Sequence, residues 1–262
     1  TIQLGSAIRA SFYVHVIGLF VPLIIFVYQL ASSQSGEIDF VLLFTYGPLA
    51  GLLFTLNYVL YYRGLSTGSV SIVTAVASAF VVVAVILSAI LLHESFSMFQ
   101  FLLVVLITLG ISLTSFKNTT IGSSTGLKYA LPCMFIIGVA VCIVKPLVQG
   151  VGPVLATIVP MLVSSLLTWI WAIKMGIPLS FSVNNGLKNV SIAGILDSGG
   201  FLCISMGFVL APVFIVTPIS AASPMVTIFL VRVFIGERIA KLQSFGVILT
   251  IAGVLILSAV SN

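Results

Sequence analysis

SVSIVTAVASAFVVVAVILSAILLHESFSMFQFLLVVLITLGISLTS, residues 69–115, decides the fold once it is laid over PVFIVTPISAASPMVTIFLVRVFIGERIAKLQSFGVILTIAGVLILS, residues 212–258. A shift of 143 residues (237 − 94 = 143) superposes them without a gap. Val70, Ile72, Val73, Thr74, Glu94, Gln100, Val104, Leu106, Gly110 and Ser115 meet Val213, Ile215, Val216, Thr217, Glu237, Gln243, Val247, Leu249, Gly253 and Ser258. The register runs back through Ala50, Gly51 and Gly64, which meet Ala193, Gly194 and Gly207. Each copy reads as an apolar helix, a short turn carrying one Glu, and a second apolar helix with a central Gly. A repeat of this length is a duplication.

The composition fixes the solvent. The chain is 60% hydrophobic and 6% charged, with a mean hydropathy of +1.34, where a soluble domain carries roughly a quarter charged residues. The reading is an all-α polytopic membrane protein. In so apolar a chain, duplication is the architecture of secondary transporters. The net charge of +5 is spread thinly over loops, a topology signal and not a nucleic-acid one. Cys133, Cys142 and Cys203 lie in apolar stretches without metal-ligand or paired spacing, so neither a disulfide nor a metal is expected. No cleavable signal peptide is visible.

A span takes roughly 20 apolar residues. Nine segments qualify: 7–30, 40–62, 69–92, 97–116, 127–149, 153–173, 189–210, 213–235 and 240–260. The second copy of the repeat is preceded by two of them and the first by one, Gly5-Ser6-Ala7-Ile8 aligning with Gly152-Pro153-Val154-Leu155. The expected organisation is a first repeat over 1–116 with four helices visible, a linker over 117–126, and a five-helix second repeat over 127–262. The partner of 127–149 falls before Thr1, so the natural chain is expected to begin one helix earlier.

An odd number of helices per repeat places the two copies in opposite orientations. Arg9, Arg63, Lys117, Lys128, Lys174, Lys188, Arg238 and Lys241 fall at one face, with Arg232 about a turn inside it. Lys145 is directed to the other, with Glu37, Asp39 and Glu94. The basic face is therefore read as cytoplasmic, with Thr1 inside and Asn262 outside.

Gly236-Glu237-Arg238 followed by Gln243, Gly246 and Gly253 resembles the signature of EamA-type members of the drug/metabolite transporter superfamily. His93-Glu94-Ser95 with Gln100 and Gly110 is its first-half form. Tyr62-Arg63-Gly64-Leu65 leading into Val70-Ser71-Ile72-Val73, and Pro218 within 213–224, also look like that family. The resemblance implies two inverted five-helix halves around a central cavity, moving small metabolites, amino acids or drugs. It implies that the first four helices of each half line the cavity. The departures are the absent helix, Ala75 where the second half has Pro218, and a charge bias that reverses the family's usual cytoplasmic termini.

Few residues carry chemistry. Asp197 lies about eight residues into its helix from the basic face, roughly 12 Å deep. A carboxylate there costs a few kcal/mol unless paired, protonated or facing water. It reads as a proton- or substrate-binding group, or as a structural Asp at a Ser198-Gly199-Gly200 kink. His15 sits at similar depth and forms a candidate proton-coupling pair with it. Lys145 lies too far along its own helix to reach Asp197 and is expected to snorkel to the far interface. The small-residue run Thr217-Pro218-Ile219-Ser220-Ala221-Ala222-Ser223-Pro224 reads as substrate-facing, since proline frees carbonyls that a wet cavity can satisfy, or as close helix packing. That makes Thr217, Ser220 and Ser223 candidates, with Thr74 and Ser78 as first-half counterparts and Asn57 as a further polar one. Glu94 and Glu237 each read as structural, favouring the positive end of the following helix.

The expected function is a secondary transporter of a small organic solute working by alternating access, possessing no cofactor and no nucleic-acid partner, acting as a monomer or homodimer in the plasma or cytoplasmic membrane. An enzyme is not expected, because no HExxH, GxSxG or helically spaced Asp pair is present. ATP-driven pumping is excluded for this chain alone, for want of a phosphate-binding loop. The alternative is a non-transporting scaffold or regulator with the same fold. Asn118-Thr119-Thr120 is a glycosylation sequon on the face read as cytoplasmic. Expression in a glycosylating host should leave Asn118 unmodified, and a glycosidase-sensitive gel shift would overturn the orientation.

Overall fold

A computed structural model of the chain describes residues 2–32, 37–68, 70–115, 126–179, 186–222, 226 and 240–260. The described elements are all helices: α1 Ile2–Gly18, α2 Phe20–Ala31, α3 Phe40–Thr67, α4 Val70–Ser78, α5 Phe80–Leu91, α6 Met98–Ser115, α7 Leu127–Lys174, α8 Gly186–Leu210, α9 Val213–Ser220 and α10 Lys241–Val260. Six stretches among the described residues are long and apolar enough to cross a bilayer: Leu4–Ala31, Phe40–Thr67, Ile72–Leu91, Leu127–Lys174, Lys188–Leu210 and Lys241–Val260. The protein is an all-α, multi-pass membrane protein.

Several expected spans are built from two pieces. Leu19 interrupts 7–30 and Ala79 interrupts 69–92. In α7 the break is at Gly152, whose φ of 79° and ψ of 162° only a residue without Cβ adopts readily. Pro153 follows and cannot donate to the carbonyl one turn back. The limbs 127–151 and 153–174 are each longer than the roughly 20 residues a span requires. Conversely, α8 stays helical through Ser198, Gly199 and Gly200, so the kink that the alternative reading of Asp197 invoked is absent. Nothing within 4 Å would crowd a Cβ at Gly199 or Gly200. The linker 117–125 with its sequon, Ser223, Pro224, Arg232, Glu237, Arg238 and most of 213–235 beyond α9 lie outside the described residues.

Two compact units form, and each draws on both sequence copies. One comprises Thr1–Arg63 with Ile143–Leu210, the other Gly64–Cys142 with Ala211–Asn262. In the first, α1 and α8 run side by side in the same direction. A Cβ on Gly18 would meet the Gly194 carbonyl at 2.9 Å and Ser198 Cβ at 3.2 Å, and one on Gly194 would meet the Val14 carbonyl at 2.7 Å. Only glycine admits backbones this close. Leu19, Val154, Ile158, Met161 and Leu202 close the apolar core beside that crossing.

In the second unit α6 and α10 cross antiparallel. A Cβ on Gly110 would lie 2.9 Å from the Thr250 amide nitrogen and 3.0 Å from the Gly246 carbonyl. One on Gly253 would lie 2.6 Å from Ile107 Cγ1. These contacts are equivalent under the repeat (107 + 143 = 250; 253 − 143 = 110). The crossing therefore maps onto itself, as a pairing between inverted copies requires. Val81, Val85, Leu103, Val104, Ile107, Ile111, Phe214 and Leu257 pack around it.

The Glu94 turn corrects one sequence expectation. The helix that follows it, α6, is started by Ser97 and Gln100, which cap each other reciprocally: Ser97 N–H to Gln100 Oε1 at 2.8 Å and Gln100 N–H to Ser97 Oγ at 3.2 Å. Left-handed His93, φ 53°, turns the chain. The Glu94 carboxylate accepts the Val213 N–H with both oxygens, at 2.9 and 3.0 Å. It thus holds the positive end of α9, 119 residues on. The sequence places Glu94 beside α6 but carries no mark of a partner so remote.

Apolar side chains such as Phe20, Ile24, Val27, Ile248 and Leu255 face outward, which a bilayer favours and water would not. The α6–α10 crossing makes a direct prediction. Gly246→Ala puts a methyl 2.7 Å from the Gly110 carbonyl and 2.8 Å from the Thr114 nitrogen, both backbone atoms. The helices must part, at a cost of about 1–3 kcal/mol. Thermal unfolding in detergent should show a clearly lower midpoint, and an unchanged one would contradict the packing described.

Candidate functional site: a carboxylate, a phenol and an imidazole

In the first unit α3 and α8 run antiparallel and meet in two rungs. Phe54 and Phe201 pack edge to face with ring centroids 5.0 Å apart. One turn along, the Tyr58 hydroxyl donates to Asp197 Oδ2 at 2.6 Å, the length of a charge-assisted O–H···O bond. The duplication relates the two rungs (54 + 143 = 197; 201 − 143 = 58). One fold position is therefore filled once by Phe against Phe and once by Asp against Tyr. The aromatic rung shows that packing alone does not require a carboxylate. Among the described residues, Asp197 forms no ion pair with a Lys, Arg or His.

His15, on α1, stands against the same tyrosine. The imidazole and the Tyr58 ring pack edge to face at 4.6 Å. His15 is 2% exposed, and its Nδ1 lies 2.8 Å from the Ser11 carbonyl and 3.2 Å from Ser164 Oγ. A carbonyl only accepts, so the bond to Ser11 commits Nδ1 as the N–H and leaves the lone pair on Nε2. Ser164 Oγ in turn lies 3.0 Å from Thr55 Oγ1, which is also 2.8 Å from the Gly51 carbonyl. A thread of polar atoms thus crosses α1, α3 and the second limb of α7. Ser198, beside Asp197, and Ser11 have buried hydroxyls without a hydrogen-bond partner among the described residues.

The structure brings His15 and Asp197 together through Tyr58, the residue that sequence reading missed. Its signal was present: Phe54, Tyr58 and Tyr62 recur every fourth residue on α3, and a phenol inside a membrane helix needs a partner. Asn57 adjoins Tyr58 and is half-buried. The remaining candidates belong to the second unit. Ser78 returns its hydroxyl to the Thr74 carbonyl at 2.7 Å, and Ser220 to the Thr217 carbonyl at 2.8 Å. Thr217 is 1% exposed, its hydroxyl without a partner among the described residues. Lys145 is half-buried in the first limb of α7.

With this geometry in place, comparison with known proteins is decisive about kinship. A model of the EamA-like transporter family matches residues 2–116 and 124–259. The chain belongs to the EamA-like transporter family. The two matched segments span both copies of the repeat. No curated protein matches the chain. A solved crystal structure, 16% identical over 97% of this chain and 88% of the other, superposes with a TM-score of 0.76; at that identity it shares the fold alone.

Within this EamA-like chain the Tyr58–Asp197 bond can be tested by itself. Tyr58→Phe keeps the ring against His15 and Tyr62 but removes the hydroxyl. The loss should be about 1 kcal/mol, the scale of side-chain hydrogen bonds between membrane helices. A wild-type unfolding midpoint in Tyr58→Phe would show that the bond does not hold α3 to α8.

Proposed function

We propose that this EamA-like protein is a secondary transporter that moves a small organic solute in exchange with, or coupled to, protons, and that Asp197 is the group both depend on. The observation that carries the reading is a carboxylate inside a membrane-spanning helix, held by a tyrosine, with no basic partner among the described residues. Such a group is costly in a bilayer and marks an ion or substrate path by default. Its repeat mate, Phe54, supports a role beyond packing.

Asp197 is the proton- and solute-binding carboxylate in this reading. Tyr58 holds it, and His15, packed on the Tyr58 ring, takes or gives a proton at Nε2. Alternating access, the mechanism that inverted repeats permit, completes the reading. Asn57, next to Tyr58 on α3, supplies a further solute contact, and the protein works in the cytoplasmic or plasma membrane. An enzymatic role has no support among the described residues of the site, where a phenol and a carboxylate stand with the imidazole.

The test is purified protein in liposomes enclosing a pH-sensitive dye, with amino acids, nucleosides, sugars and organic cations added in turn. A solute should move protons with wild type and not with Asp197→Asn. Solute flux that Asp197→Asn leaves intact would remove Asp197 from the mechanism. Absence of both flux and binding for every solute would overturn transport itself.

A further inference from the structure

The surroundings of Asp197 narrow the solute further. Around it the α3–α8 seam is aromatic. Phe201 lies one turn along α8, packed on Phe54. Tyr62 lies one turn along α3 from Tyr58, their centroids 5.9 Å apart, and Tyr61 is 6.1 Å from Tyr62. Continuing the antiparallel register from 54 with 201 and 58 with 197 sets Tyr62 opposite position 193, which is Ala193. The two filled rungs are thus followed by one with a ring on one side and a methyl on the other. Tyr58, Tyr61, Tyr62 and Phe201 are all half-buried.

The basic residues of this unit are Arg9, Arg63, Lys145, Lys174 and Lys188. Arg9 precedes His15 by six residues, Arg63 follows Tyr58 by five and Lys188 precedes Asp197 by nine. Lys145 and Lys174 lie on α7. None of them forms an ion pair with Asp197. A negative group on an aromatic-rich helix seam attracts a positive charge carried on an apolar body. The carboxylate supplies the Coulomb term and the negative ring faces supply cation–π contacts. An anion would meet the wrong sign. A zwitterion would bring its own carboxylate beside Asp197, a like charge in a low-dielectric site.

We infer that the solute bound at Asp197 is a compact organic monocation, a protonated amine or quaternary ammonium on an aromatic or similarly apolar body. This rests on the proposed role of Asp197 as a solute-binding carboxylate. The ammonium sits against Asp197 while Tyr62 and Phe201 contact the body, and Tyr58 orients the carboxylate from the other side.

Four probes sharing one ring separate the possibilities: phenethylamine, its trimethylammonium analogue, phenylalanine and phenylacetate. Binding to wild-type protein in detergent is measured by titration calorimetry, and flux in liposomes in parallel. The two cations should bind, with phenylalanine and phenylacetate weaker by about tenfold or more, ~1.4 kcal/mol. Asp197→Asn should lose at least that factor for the cations. Tyr62→Leu, eluting and melting like wild type, should weaken them about threefold or more through the lost cation–π face. Phenylalanine or phenylacetate binding better than the cations would overturn the inference and leave transport standing. Cations that bind without any flux would support it while transport fails. Binding of none of the four to wild type, or equal binding of all four, would also overturn it.

Discussion

Inside a bilayer no water is at hand for a hydroxyl, an amide or a carboxylate, and each must be satisfied by the protein. Most polar side chains here meet that constraint locally. Thr55, Ser78, Thr108, Thr157, Ser165, Thr168 and Thr250 all turn their hydroxyls back to the carbonyl four residues earlier. A helix can carry such residues through lipid at little cost, which is why Ser and Thr specify so little here. Asp197 has no such local solution. Its carboxylate must reach another helix, and the hydrogen bond to Tyr58 ties α3 to α8 at that one place.

The same constraint explains what glycine does. Lipid tails are as apolar as leucine, so helices in a membrane associate through contact and hydrogen bonding and not through exclusion from water. Gly110 with Gly246, and Gly18 with Gly194, remove the side chains that would hold backbones apart. At α6–α10 the pattern obeys the duplication, Gly110 facing Thr250 as Gly253 faces Ile107. The short helix α9 has a different need: its free N-terminal amide at Val213 is met by Glu94, brought there by the left-handed turn at His93.

Much of this is legible in the chain because the bilayer imposes one-dimensional rules. Span length, the 143-residue register and the glycines at 110 and 253 are periodic or compositional, and His15 and Asp197 stand out by their cost. What depends on contacts remote in sequence is not legible. Tyr58 meets Asp197 across 139 residues and Glu94 meets Val213 across 119; neither pairing alters a local pattern. The Ser198-Gly199-Gly200 kink failed for a related reason. Two glycines permit a bend, but a helix bends only where packing or a missing hydrogen bond drives it. Pro153 supplies that drive next to Gly152, and no proline does so at Gly199.

The duplication also sets two chemically different solutions to one fold position side by side. Two gene-duplicated rungs begin equivalent, and a rung serving only to hold helices together has no reason to differ from its mate. Phe54 on Phe201 meets the packing need with apolar contact alone. Replacing that solution in its mate by Tyr58 and Asp197 introduces a desolvation cost that one hydrogen bond only partly offsets. Because the costly arrangement occupies a position for which the same molecule displays a cheaper one, folding is a poor explanation of its presence.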